Sequence, residues 1–298
     1  MLKKHLIILS SLSFLLCALP VQAQDLEDLI GGDDEETYLT FATFKTTRLV
    51  NGHSIEQAGK GVLDFKISHR FGPPAEGRPF YNFLGLDEAN MRLGFEYGLS
   101  DRMMIGIGRT KDPGKVYDGF LKYKLLRQST GATKMPVTLS YFASAAVKTA
   151  DFSDPTRTYP SSSRWYFAHQ LLLAKKFSEK LSLQISPSFI HRNLVSTREE
   201  SNDVLACGFG GRYMITGGTS INLEYYYVLP NQLSDLYYNS FAIGFDIETG
   251  GHVFQLHFTN SIGMTEAAFI TETTDPFNGT GIRFGFNLSR VFTIVRPE

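Results

Sequence analysis

Connectors in this chain alternate long and short, and that alternation constrains the fold more than any other feature. Between Gly59 and Val295, about twelve stretches of roughly 9–15 residues carry apolar residues at every second position. This is the length and period of a tilted membrane-crossing β-strand. Asp101 and residues 176–180, 216–219 and 248–251 fall in tight connectors, and residues 71–89, 150–164 and 264–281 form long ones. Barrels of the bacterial outer membrane have short turns on the periplasmic side and long loops on the outer side.

Individual strands show the period clearly. In 90–99, Met91, Leu93, Phe95, Tyr97 and Leu99 face one way, and Arg92, Gly94, Glu96 and Gly98 the other. In 61–71, Leu63, Phe65 and Ile67 oppose Asp64, Lys66, Ser68 and Arg70. In 220–229, Ile221, Leu223, Tyr225, Tyr227 and Leu229 oppose Asn222 and Glu224. A soluble sandwich would alternate in the same way, but its strands cluster near five or six residues, about half the length found here. Tyr117, Trp165 with Tyr166, residues 225–227, Tyr237 with Tyr238, and Phe292 stand near strand ends, where amphipathic rings form interfacial girdles.

The first 23 residues read as an export signal. Lys3 and Lys4 precede an apolar run that Pro20 breaks, and Val21-Gln22-Ala23 is a cleavage-site pattern. After cleavage Cys207 is the one remaining cysteine, so no intramolecular disulfide stabilises the mature chain. No later stretch has the ~18 consecutive apolar residues of a spanning helix. The formal net charge of −1 offers no basic field for nucleic acid.

Twelve is an even number, which places both termini on the periplasmic side with every long loop outside. Counting residues 37–50 as a wall strand would break that parity. That segment carries Lys45 and Arg48, and His53 and Glu56 follow it, all costly against lipid. The organisation expected is a signal over 1–23, a periplasmic lead-in and lumen plug over 24–58, and an all-β, antiparallel up-and-down barrel over 59–298. Asn51-Gly52 marks a turn within the plug. Its candidate residues are Lys45, Arg48, His53 and Glu56, with Asp64, Glu96, Asp118 and Glu224 as wall partners.

Four blocks carry a resemblance to a known family: FKTTRLVNGHSIE (44–56), GKGVLDFKISHRFG (59–72), YNFLGLDEANMRLGFEYGLSDRMMIGIGR (81–109) and YDGFLKYKLLRQSTG (117–131). They resemble a family of Gram-negative outer-membrane β-barrel proteins classed as a domain of unknown function. The resemblance implies the barrel and an outer-membrane location. It transfers no catalytic or binding residue.

Alternation places Asp64, Lys66, Arg70, Arg92, Glu96, Asp118, Lys122, Lys124, Lys148, Arg212, Glu224, Asp246 and Arg283 on the inward face. Charges of both signs in a lumen either set solute preference or close into a salt-bridge network. Phe120 and Phe142 also point inward. An outward Phe95 or Leu223 replaced by Arg should be costly, and an inward Gly94 or Asn222 should accept Arg unless it clashes. Neither His53 with Ser54 nor His191 with Ser188 has the parity of a catalytic pair, so no enzyme is expected. His53, His69, His169, His191, His252 and His257 are scattered without metal-ligand spacing, and no cofactor or metal is expected. The partners expected are outer-membrane lipid, the outer-membrane barrel assembly machinery, and a small solute or a periplasmic protein. The leading function is a narrow channel or transport-related pore for small polar solutes. The alternatives are a non-conducting barrel whose loops or plug bind a partner, and a membrane-surface hydrolase.

Overall fold

The computed structural model describes residues 36–74, 80–111, 114–152, 154, 156–277 and 281–296. The expected export signal and the acidic residues 24–35 lie outside them. The wall begins with β2 (Val62–Phe71), β3 (Ala89–Ser100), β4 (Met103–Thr110), β5 (Val116–Leu126) and β7 (Thr138–Lys148). It continues with β8 (Trp165–Lys176), β9 (Leu181–Arg192), β10 (Asp203–Met214) and β11 (Thr219–Val228). β12 (Phe241–Thr249), β13 (His252–Thr259) and β14 (Arg283–Thr293) complete it. Each strand pairs antiparallel with its neighbour in the chain, and β14 pairs with β2, closing a barrel of twelve. Closure leaves no ladder edge unpaired, which a hydrocarbon surround requires.

Membrane strands are expected to run longer than the wall strands prove to be. β4 and β13 have 8 residues and the longest have 12. The outward set is mainly apolar, and the inward set combines polar and charged side chains with apolar ones such as Met104, Phe142, Leu172 and Ile190. Across β2 and β3, Phe65 lies opposite Phe95 outside, and Asp64 opposite Glu96 inside. Phe95 is 46% exposed and Leu223 49%, and Glu96 is fully buried. Arg at Phe95 or Leu223 should therefore cost about 2–4 kcal/mol in a lipid-vesicle urea titration. A cost below 1 kcal/mol, on the order of a surface substitution, would count against lipid contact there.

Two connectors depart from the alternation. The connection between β4 and β5 is only five residues long, 111–115, although it lies at the long-loop end. Residues 127–137 form a longer connection at the short-turn end, because they contain β6 (Ser129–Gly131), which pairs outside the barrel with β1 (Thr37–Leu39). Of the strand-like stretch 37–50, only β1 is a strand. The girdle reading also needs correction at two positions. Tyr166 and Tyr226 are buried and face the lumen, whereas Trp165, Tyr225 and Tyr227 are exposed. Adjacent strand residues alternate faces, so a run of aromatics cannot lie wholly outside.

After β1 the chain enters the barrel from the short-turn end. Residues 43–55 are buried apart from Lys45 and Thr46, which are half-buried. The segment folds back on itself at 49–52: the Leu49 amide donates to the Gly52 carbonyl at 2.9 Å, and Arg48 bridges His53. The apex needs Gly52, since a Cβ there would lie 2.1 Å from the Tyr226 hydroxyl. The chain leaves past Gly98, where a Cβ would lie 2.0 Å from the Gly59 carbonyl oxygen. From the opposite end, the connection between β13 and β14 dips inward as a short helix, α1 (Glu266–Thr271), every residue of which is buried.

Candidate functional site

Inside the barrel the inserted hairpin is held chiefly through its backbone. Glu224 on β11 accepts hydrogen bonds from the backbone N–H groups of Val50, Asn51 and Gly52 at 3.2, 3.1 and 3.0 Å. The Lys122 ammonium donates to the carbonyls of Ser54, at 3.0 Å, and Glu56. Gln184 donates to the His53 carbonyl at 2.8 Å, Asn287 to that of Val50 at 2.9 Å, and Gln255 to that of Leu49. Eight backbone groups of a segment without a ladder are thus satisfied by wall side chains. Leaving any one of them buried and unpaired would cost roughly 1–3 kcal/mol.

Apolar contacts complete the fit. Phe44, Leu49, Ile55 and Ala58 pack with Met104, Phe120, Phe142, Leu172 and Ala174 of the wall. The His53 ring lies 4.5 Å from that of Phe120 and 4.4 Å from that of Phe142. Burial, then Arg48 and Lys122, holds His53 well below the usual imidazole range. That lowering favours the neutral ring, which packs against the two phenylalanines with its Nε2 3.8 Å from Glu266 Oε1. Between Thr46, Arg48 and the wall at Lys66, Gln255 and Asn287 the gap is about 10 Å³, room for about one water.

The two intruding elements meet at mid-barrel. Arg48 Nη1 lies 3.3 Å from Glu266 Oε1 of α1, and Arg48 Nε lies 3.9 Å from Glu96 Oε1. The Thr47 hydroxyl also donates to Glu96. Burial raises the Glu266 carboxyl and the Arg48 charge opposes that rise. Phe269 meets Tyr226 edge to face at 5.0 Å, within an apolar cluster that includes Tyr166, Ile190, Val204 and Ile270.

The inward charges fall into separate groups. Asp64 pairs with Lys66 at 2.6 Å, and Arg92 with Asp118 at 2.5 Å, so neither acid binds the hairpin. Of the four wall acids expected to neutralise it, Glu96 takes Arg48 and Glu224 takes backbone amides. Lys45 reaches Glu248 at the β12 end instead, at 2.5 Å. Glu56 accepts from the hairpin's own Thr43 amide at 2.7 Å. Asp246 accepts from Gln255 at 2.8 Å. Arg212 is buried with Nε and Nη2 unpartnered among the described residues, and Lys124 is half-buried near the short-turn mouth. Lys148 pairs with Glu272 at 2.6 Å, and Arg283 pairs with Asp275. Arg70 is held by the side-chain oxygens of Asn51 and Asn287 at 3.0 and 3.1 Å.

Sequence reasoning missed the uncharged amides Gln184, Gln255 and Asn287, although their parity already pointed inward. It also missed Arg192, and the loop carboxylates Glu266, Glu272 and Asp275. The helix-forming run EAAFIT inside a long loop was the available signal for α1. The exception allowed for Arg at Gly94 and Asn222, a clash in the lumen, applies at both. A Cβ at Gly94 would lie 2.6 Å from Arg92 Nη1, and Asn222 is 1% exposed, so neither position has room for an Arg. His191, outside, bonds Asp203 at 2.6 Å and Asn193 at 2.8 Å, and Ser54 donates to the Thr46 carbonyl.

The chain belongs to the family described as "Membrane bound beta barrel domain (DUF5777)", whose pattern matches residues 44–292. The match begins at Phe44 and so includes the inserted hairpin as well as the wall. No curated protein matches the chain. Among solved structures it is similar to the NanC porin, at 9% identity over 77% of this chain and 98% of that one, with a TM-score of 0.46. An outer membrane channel from Pseudomonas putida F1 matches at 15% identity over 80% and 97%, with a TM-score of 0.44. Outer membrane phospholipase A from Escherichia coli matches at 12% identity over 76% and 89%, with a TM-score of 0.40. The protein is a membrane-bound β-barrel resembling those of the Gram-negative outer membrane. No activity follows from likenesses of this degree.

Proposed function

We propose that this barrel is a gated channel for small polar solutes, closed in the conformation described. One observation carries the reading: every strand of the wall places at least one polar side chain on its inner face, and the lumen is filled by two chain segments rather than by wall side chains alone. Either segment can leave without breaking a hydrogen bond of the wall's strand ladder, since neither contributes to it. Water entering behind it would satisfy Glu224, Lys122 and the amides as the hairpin does now.

The test is planar-bilayer conductance. The intact protein should conduct poorly, and a variant lacking residues 24–56 better, while both resist unfolding in cold SDS. A folded variant that has lost both the hairpin and the α1 segment, and still carries no current, would sink the channel reading. A non-conducting barrel that presents its loops to a partner is the second reading. The two apolar clusters that fix the hairpin and α1 to the wall favour it.

The channel reading places the long loops on the cell exterior. With Cys207 replaced by Ser, a cysteine at Ser161 should react with an impermeant maleimide on whole cells. One at Ser178 or Gly218 should stay protected until the outer membrane is opened. The reverse labelling pattern would invert the barrel.

A further inference from the structure

We infer that the long-loop half of the lumen is a binding site for small anionic solutes, and that carboxylates of the loops now occupy it. This rests on the channel reading for its role in transport, but not for the binding itself. In that half of the wall the inward charges are Arg70, Arg92, Lys148, Arg192 and Arg283, against Asp118, which Arg92 takes at 2.5 Å, and Glu224 near mid-strand, which accepts the hairpin's backbone amides. Among the described residues the other four cations have no wall carboxylate within ion-pair distance, although the Glu224 charge attracts Arg70 from further off. Three of them are matched by acids that the loops bring in. Glu272 meets Lys148 at 2.6 Å, Asp275 meets Arg283, and Glu200 lies 3.1 Å from Arg192. The fourth, Arg70, is 1% exposed and, among the described residues, has only neutral acceptors, with Nε unpartnered.

Glu272 and Asp275 belong to the same connection as α1, between β13 and β14. Displacing that connection removes its carboxylates and leaves their cations inside a low-dielectric wall. Unpaired charges in such a place are costly, and an entering carboxylate or other small anion restores what was lost. Lys and Arg rings of this sign in a pore favour anions. The short-turn half differs, since there Asp64, Glu96 and Asp246 stand among Lys66, Lys122 and Arg212. Anion preference would therefore be set at the long-loop end.

The test uses the full chain and citrate as the probe. In an E272Q/D275N variant the loop keeps its shape but loses the two charges. Calorimetry on the refolded protein should then show citrate binding roughly tenfold or more tighter than to the unsubstituted chain. Adding R70Q, K148Q and R283Q should abolish the gain. If limited proteolysis shows the loop still seated, replacing residues 264–277 with a Gly-Ser linker exposes the cations directly. A folded linker variant that binds citrate no better than the original chain overturns the inference. Citrate binding by the linker variant, with no current even after residues 24–56 are also removed, would retain the site and reject the channel. Conductance without citrate binding or chloride preference would retain the channel and reject the site.

Discussion

A variant lacking residues 24–56 and carrying a short linker in place of 264–277 is expected to conduct on the order of tenfold or more better than either single variant. The reason is that the two obstructions lie in series. The hairpin closes the middle and the short-turn half through Phe44, Leu49, Ile55 and His53. α1 closes the long-loop half through Phe269 and Ile270 against Tyr166 and Tyr226. Removing one leaves the other limiting the current, so the effects should multiply rather than add. Wall pairing is untouched in all three variants, and each should still migrate as a folded barrel in cold SDS. Equal currents from the hairpin deletion and the double variant would show that α1 is no barrier.

The second large effect is expected at Glu224. Its carboxylate accepts three consecutive backbone N–H groups at the apex of the hairpin. Replacing it with Ala leaves those donors without a partner, at roughly 1–3 kcal/mol each where water cannot reach them. Hydrogen exchange at residues 50–52 should accelerate on the order of 100-fold or more, while wall amides keep their protection. Glu224→Gln should fall between, because one amide oxygen remains to accept. Unchanged exchange at the apex in Glu224→Ala would mean that the apolar contacts of Leu49 and Ile55 hold the hairpin unaided.

The Glu224 case also shows where sequence reading loses its grip. That Glu224 faces inward follows from its place between Leu223 and Tyr225, because strand parity is local and lipid enforces it at every outward position. That it binds backbone amides rather than Lys45 or Arg48 does not follow, since a backbone donor leaves no mark in the residue list. Gly52 and Gly98 are comparable. Each is legible as a glycine, but only the approach of Tyr226 to one and of the Gly59 carbonyl to the other gives the reason.

From the sequence alone came the twelve-strand barrel, the face that most strand residues take (Tyr166 and Tyr226 being exceptions), and the exclusion of residues 37–56 from the wall. All three rest on one physical condition: hydrocarbon outside rejects charge and unpaired backbone, so pattern and parity suffice. A plug from residues 24–58 is already expected from the sequence; only the tertiary structure decided its hairpin form and its backbone contacts, the entry of α1 from the other end, and the loop carboxylates set against Lys148, Arg192 and Arg283. Inside the barrel both polar and apolar partners are acceptable, and a segment far away in sequence can supply either. Which one does so depends on the shape of the space, which no local periodicity encodes.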